Sequence, residues 1–479
     1  MLELQPRPSV SSHYDELYDA AGLPRAHYAA LSATLSEFAL GEILGRVGSI
    51  NTTLLQRGVT FTVYAESSGT ERIFPFDVIP RILTGAEWAH IERGVQQRVR
   101  ALNAFVYDVY HAERILRDGP ISRELVYSSK NYCREMIDVD VQRDVYIHVS
   151  GIDLIRDASG EFLVLEDNCR TPSGISYVLE NRDVLKRGFA DLFRGYAVSP
   201  VDDYPSRLLD VLHFAAPRGI MQPNVVVLTP GIYNSAYFEH ALLARRMGAE
   251  LVEGRDLLVV DNVVYLRTTR GLARVDVIYR RIDDDFLDPL YFAPNSGLGV
   301  TGLMNAYRAG NVSLANAIGS GVADDKAIYR HVPDMIRFYL GEEPVLSNVP
   351  TFDCTNDLER RHVLANLDKL VVKNANASGG YGMLMGPFAG AAERAEFADL
   401  IEANPRDFIA QPMIELSSSP TLINGTLASR RVDLRPFALY GRDVDVPPAA
   451  LTRVALKEGS LVVNSSQGGG CKDTWVLGV

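Results

Sequence analysis

Apolar positions near the start of the chain recur with helical spacing. HYDELYDAAGLPRAHYAALSATLSEFALGEIL, from residue 13, predicts helix to about residue 60, broken near Gly22 and Pro24. TFTVYAE then alternates as a strand. GAEWAHIERGVQQRVRALNAFVYDVYHAERIL (85–116) predicts one long amphipathic helix, stopped by the DGP turn at 118–120. HVSGIDLI and FLVLED predict two strands of a β-hairpin, with Asp157, Ala158, Ser159 and Gly160 as the turn. That region closes near Pro200. From 201 the rhythm changes to helix (RLLDVLHF), buried strand (NVVVLTPG), helix (AYFEHALLARRMG) and further strands (ELVEG, LLVVDNVVYLR, VDVIYRR). This β-α-β order predicts a small open α/β domain over about 205–320, with Gly231 ending its first strand, where ligands of such sheets bind. The remainder mixes strand and helix through LDKLVVKN, DFIAQPMI, SRRVDLRPFALYG, AALTRVAL and SLVVN, without internal repeats.

The hairpin carries the first sign of chemistry. Strand side chains repeat every second residue, so Asp153 and Glu166 can lie side by side with Asn168 on the same face. Two carboxylates and an amide oxygen at one spot suit a hard cation such as Mg²⁺, which commonly takes its remaining ligands from substrate phosphates. The phosphate-binding groups such a site needs appear only some two hundred residues later.

Composition narrows the setting. The chain has 479 residues, enough for two or three domains, and a formal net charge of −12, which argues against a nucleic-acid surface. No apolar run approaches a membrane span, and MLELQPRPSVSSHYDEL lacks the basic start and apolar core of a signal peptide. Four scattered cysteines make neither a disulfide framework nor a zinc site, so a reducing cytoplasm is the expected location. Only seven of the 48 basic residues are lysines. A chain that otherwise uses arginine can keep lysine where a compact ammonium is needed, which draws attention to Lys326 and Lys373.

VVKNANASGGYGM places Lys373 at a strand end and Gly379, Gly380 and Gly382 in the following loop. Such a loop either cradles phosphate oxygens or is the plain turn of a hairpin. IAQPMIE (409–415) reads as a strand that Pro412 marks as an edge or interdomain segment, whose free backbone groups could meet an adenine ring. Other residues divide similarly. Cys169 is a candidate thiol but more simply a small buried residue. Arg280-Arg281 with Asp283–Asp285 is a carboxylate clamp or a solvated turn, and Glu239-His240 faces an amine substrate or lies on a surface helix. SSQGGGCKD (465–473) is a flexible tail or a phosphate- or acyl-contacting loop.

The order of these pieces resembles the ATP-grasp ligases with the chain rotated. Asp325-Lys326, Lys373, Gly379-Gly380-Tyr381-Gly382, Gln411 to Glu415, Asp433-x-Arg435, Arg453, Asn464 and Gly468-Gly469 follow the family order. Its missing last block is the hairpin at 151–168. The chain is thus similar to the type 2 circularly permuted ATP-grasp family and, more distantly, to glutathionylspermidine synthetases, through Glu166-x-Asn168-x-x-Thr171-Pro172. The fold implied combines α+β and α/β parts. It is a permuted ATP-grasp fold with a small open α/β domain like the pre-ATP-grasp domain and a helical N-terminal region. The expected segments are 1–130 (helical), 131–200 (metal-binding part), 201–320 (α/β substrate domain) and 321–479 (nucleotide-binding part).

The resemblance implies roles for particular residues. Lys326 and Lys373 would contact ATP phosphates, with Gly379, Gly380, Tyr381, Gly382 and Met383 closing over them and Asn464 nearby. Backbone near Gln411 and Met413 would hold adenine, with Glu415 at the ribose. Asp153, Glu166 and Asn168 would hold Mg²⁺, and Arg435 and Arg453 would steady the transferred phosphoryl group together with Lys373. The implied activity is ATP-dependent ligation of a small-molecule or peptide carboxylate to an amine through an acyl-phosphate. A kinase and an inactive nucleotide-binding scaffold are the alternatives. The acid, the amine and the oligomeric state are not legible.

Overall fold

Strands from widely separated parts of the chain meet in one large sheet. The computed structural model describes residues 13–63, 70–376, 382–463 and 468–478. Among these, nine strands form that sheet. Its main path runs Ser347–Asn348, Phe162–Asn168, Val149–Arg156, Thr426–Tyr440, Ala450–Val454, Gly470–Val476, Phe76–Leu83. The hairpin is therefore central. Val149–Arg156 pairs antiparallel with Phe162–Asn168 on one side and with Thr426–Tyr440 on the other. Its turn forms because Asp157 Oδ1 accepts the Ser159 and Glu161 N–H groups while Gly160 takes φ +93°. The acidic block and the strands from the far end of the sequence share one ladder, as a rotated chain order requires.

A second, four-stranded antiparallel sheet runs Phe352–Asp353, Phe408–Pro412, Leu370–Asn374, Leu384–Met385. Helices Asp357–Ala365 and Ala391–Ala403 accompany it, and Val363, Val372, Ile401 and Phe408 belong to its own apolar cluster. The strand read as an edge lies inside this sheet, between Phe352–Asp353 and Leu370–Asn374. Pro412 ends it, and 413–417 connect the two sheets. The α/β region forms a parallel sheet in the order Ser313–Ala315, Val277–Arg280, Val225–Leu228, Glu250–Val252. The run LLVVDNVVYLR divides at Asp261 and Asn262, both at positive φ, into two strands of a separate three-stranded sheet.

Several elements depart from the sequence pattern; of SLVVN, residues 460–463 form no strand. Residues 13–25 are not helical, because the carboxylates of Asp15 and Asp19 bond the N–H groups of Leu17, Tyr18, Ala21 and Leu23 and favour turns. Helix begins only at Ala29–Glu37 and Leu40–Gln56, after a short 3₁₀ turn. The long helix ends at Tyr110 rather than 116, where Glu113 turns left-handed and Asp108 caps the next helix through the Arg114 and Ile115 N–H groups. Phe76–Leu83 is a buried strand the sequence reading missed. Pro80 disguises it, and falls at the register shift between the pairs Lys472↔Asp77 and Thr474↔Arg81, where no ladder N–H is required.

The long helix Gly85–Tyr110 starts on a Thr84/Glu87 capping box and supports the hairpin from behind. Glu166 and Asn168 face one side of the sheet, so Asp167 faces the other. There it meets Arg98 in a two-point ion pair at 2.6 and 2.7 Å, with both side chains buried. Breaking one partner of a buried pair leaves a charge uncompensated. Arg98→Met is expected to lower stability by about 3–5 kcal/mol in denaturant unfolding, whereas a change below about 1 kcal/mol would match only a solvent-exposed pair.

Candidate active site

A row of charged side chains crosses four adjacent strands of the large sheet. Asp153 stands directly opposite Glu166 in the hairpin, and Asn168 opposite Gly151. On the next strand Asp433 and Arg435 share a face, and Asp433 pairs across to Arg453. Asp153 is fully buried and gripped from two sides: Arg435 makes two contacts, one at 2.8 Å, and Arg453 Nη2 lies at 2.6 Å. Burial alone would push the Asp153 carboxyl up, but the two guanidinium groups outweigh it and hold it well below the usual carboxylate range. Arg453 also pairs with buried Asp433, at 3.0 Å through Nε. Asn168 Nδ2 donates to the Gly151 carbonyl at 3.1 Å and lies 3.5 Å from Asp153 Oδ1.

The small sheet supplies the facing wall. Lys373 Nζ, on strand Leu370–Asn374, donates to Gln411 Oε1 at 2.8 Å on the paired strand. Gln411 is fixed in turn by donating to Thr351 Oγ1 at 2.9 Å. Lys326 opens a short helix capped by Asp325, whose carboxylate accepts the Ala327 N–H and pairs with Arg406 at 2.6 Å. The Lys326 backbone N–H bonds the Ala375 carbonyl, which places the two lysines near each other. Lys326 Nζ lies 3.6 Å from Glu166 Oε2. Burial pushes the Lys373 ammonium down to about 8, and Lys326 adds to the effect while Glu166 and Asp153 oppose it.

Between the walls lies an open cleft with a cavity volume of about 140 Å³. It brings together Asp153, Glu166, Lys326, Lys373, Gln411 and Arg453, with Met413 and Met383. The sequence reading left out its apolar walls, Ile155, Leu165, Val349, Met385, Ile414 and Leu416 among them. Alternation from Asp153 gives Ile155, and the residues flanking Met413 give Ile414, but Leu165 joins Glu166 on the cleft face only through the register shift there. Asp433 also lines the cleft, and its place two residues before Arg435 gives the same face. Arg435 and Asn168 reach Asp153 without lining the cleft themselves. Glu415 does not line it and pairs with Arg431 at 2.6 Å. Gly382 is exposed at φ +66°. Gly379, Gly380, Tyr381 and Asn464 lie outside the described residues.

Residues 80–455 match the family described as circularly permuted ATP-grasp type 2. The chain belongs to that family. An uncharacterized Synechocystis protein is 54% identical to this ATP-grasp protein over 465 residues, covering 97% of both. An uncharacterized protein of Mycobacterium tuberculosis is 54% identical over 97% of this chain and 84% of its own length. A Frankia casuarinae protein named "Putative glutamate--cysteine ligase 2-2" is 44% identical over 97% of this chain, which spans only 53% of it. Among solved structures, a glutathione synthetase-like effector of Globodera pallida superposes with a TM-score of 0.60 at 10% identity, covering 92% of this chain and 98% of that one. That likeness speaks to fold alone.

Several side residues have other work than the sequence allowed. Arg280 is neither clamp nor surface: fully buried, it donates to the carbonyls of Asn316, Ile282 and Ala317. Arg281 pairs with Glu239, and Glu239 accepts from the Gly174 and Ser176 N–H groups, capping helix Ile175–Gly188. His240 bonds Thr229, so the Glu239-His240 pair is buried rather than substrate-facing or surface. Cys169 is fully buried, and burial with nearby Asp324 and Asp167 keeps its thiol protonated. Of 465–473, read as a flexible tail or a phosphate- or acyl-contacting loop, residues 470–473 begin the buried strand Gly470–Val476, where Lys472 pairs with Asp77. Among the described residues no helix is long and apolar enough to cross a membrane.

Proposed function

We propose that this protein is an ATP-dependent carboxylate–amine ligase working through an acyl-phosphate. The observation that carries the reading is the cleft itself: carboxylates on one wall, two lysines on the other, apolar side chains lining the rest. Lys326 and Lys373 hold the phosphates, the apolar walls and the backbone near Gln411 and Met413 take the adenine, and Gly382 belongs to the loop over the phosphates. Arg453, which lines the cleft, steadies the transferred group, and Arg435 acts through its grip on Asp153. In this reading 131–200 and 321–479 form the two halves of one catalytic unit, 201–320 faces substrate, and 1–130 supports the sheet. Four buried free thiols suit a reducing cytoplasm.

The donor set fits a hard divalent cation. Glu166 and Asp153 line the cleft side by side and would offer carboxylate oxygens, with the Asn168 amide next to Asp153. Among the described residues no three Asp, Glu, His or Cys side chains are placed to hold a metal ion by themselves; phosphate oxygens would have to complete the shell, as they commonly do for Mg²⁺. A cation held there would supply charge neutralisation for the phosphates. A substrate carboxylate oxygen attacks the γ-phosphorus and the bond to ADP breaks. An amine nitrogen then attacks the acyl carbon, phosphate leaves, and the amine proton passes to solvent. Arg453 holds both species in line, so positioning supplies most of the rate.

The name of the Frankia protein supports an amino-acid carboxylate and an amine acceptor. A screen of such acids and amines with Mg·ATP, reading ADP release and the mass of the conjugate, tests this. The expected product is an amide formed with one ADP. Transfer of phosphate to a hydroxyl substrate, with no amide, would instead mark a kinase.

A further inference from the structure

The two hairpin strands lose their own ladder at the end that carries the site. Their last paired residues are Gly151 and Asn168, and beyond them the Cys169 N–H turns to the Asp324 carboxylate. One side chain from another part of the chain fills the gap. Asn316, 2% exposed, accepts from the Val149 N–H at 2.7 Å. Its amide nitrogen donates to the Val149 and Cys169 carbonyls, each at 2.6 Å, and lies 3.3 Å from the Arg170 carbonyl. These contacts stand where further rungs of the ladder would have been. Asn316 is itself anchored, since Arg280 Nε donates to its carbonyl at 2.9 Å.

We propose that Asn316 is a positioning residue for the metal side of the site. It ties the start of Val149–Arg156 to the end of Phe162–Asn168 and so sets the spacing of Asp153, Glu166 and Asn168. Donor groups must be held to within about 0.5 Å for productive geometry, and an unpaired strand end frays. The inference rests on the reading of those three residues as cation donors. Asn316→Asp keeps the size and the acceptor for Val149 but sets a carboxylate oxygen against two carbonyls. Asn316→Ser removes the bridge more gently and is read if the first variant does not fold.

The test uses the full chain with Mn²⁺ as probe, followed by electron paramagnetic resonance, and a non-hydrolysable ATP analogue. Mn²⁺ affinity in the ternary complex should fall about 10-fold or more in Asn316→Asp, and less in Asn316→Ser. Affinity for the analogue without metal should stay close to that of the parent protein. Parallel loss of both affinities would overturn the proposal, because it would mark general loosening. Glu166→Gln serves as reference: if it weakens Mn²⁺ binding and neither Asn316 variant does, the positioning role is wrong. If Glu166→Gln leaves Mn²⁺ binding unchanged, the metal reading fails and takes the proposal with it.

Discussion

Glu166→Gln is expected to lower ATP turnover by at least about 10²-fold while leaving the fold intact. The substitution keeps the size and one oxygen but removes the charge that faces Lys326 at 3.6 Å and stands opposite Asp153 in the ladder. Glu166 is only partly buried, whereas its neighbour Asp167 carries the structural ion pair to Arg98. Function and stability thus separate onto opposite faces of one strand. Asp167→Asn should destabilise where Glu166→Gln should not. Unchanged turnover in Glu166→Gln would show that the acidic hairpin is not part of the nucleotide site.

Lys373→Ala should reduce kcat/KM for ATP by about 10²-fold, and the intact lysine should impose a pH dependence. Its ammonium is pushed down to about 8, chiefly by burial. Below that pH the group is charged and attracts phosphate; above it the group is neutral and the attraction is lost. kcat/KM for ATP should therefore fall by about tenfold per pH unit above 8, since this parameter reports the free enzyme. Lys373→Arg stays charged throughout and should remove that inflection, whatever its absolute rate. An inflection that survives in Lys373→Arg would assign the titration to another group.

What could be read from the sequence follows the range of the interactions. The hairpin was legible because strand alternation and an Asp-Gly turn are local, and they put Asp153 beside Glu166 as expected. The rotated order of lysines, glycines and arginines needed only a linear comparison. The grip on Asp153 was not legible, since its partner Arg435 is 282 positions away. Asn316, 167 positions from Val149, gave no signal because a lone asparagine has no pattern. The turn at 13–25 was hidden because helical apolar spacing does not show that Asp15 and Asp19 bond the backbone instead. Arg280 and Arg281 could be read only as a clamp or a solvated turn, because buried arginines satisfied by carbonyls and a distant glutamate leave no trace in composition.

The central claim is that the cleft activates a carboxylate. Hydroxylamine traps an acyl-phosphate as a hydroxamate without the true acceptor amine. The measurement is hydroxamate formed per ADP released, with Mg·ATP and a panel of amino-acid and peptide carboxylates. The account predicts one hydroxamate per ADP for at least one acid, lost in Glu166→Gln and Lys373→Ala. ADP released in the presence of these acids with no hydroxamate from any of them would contradict it.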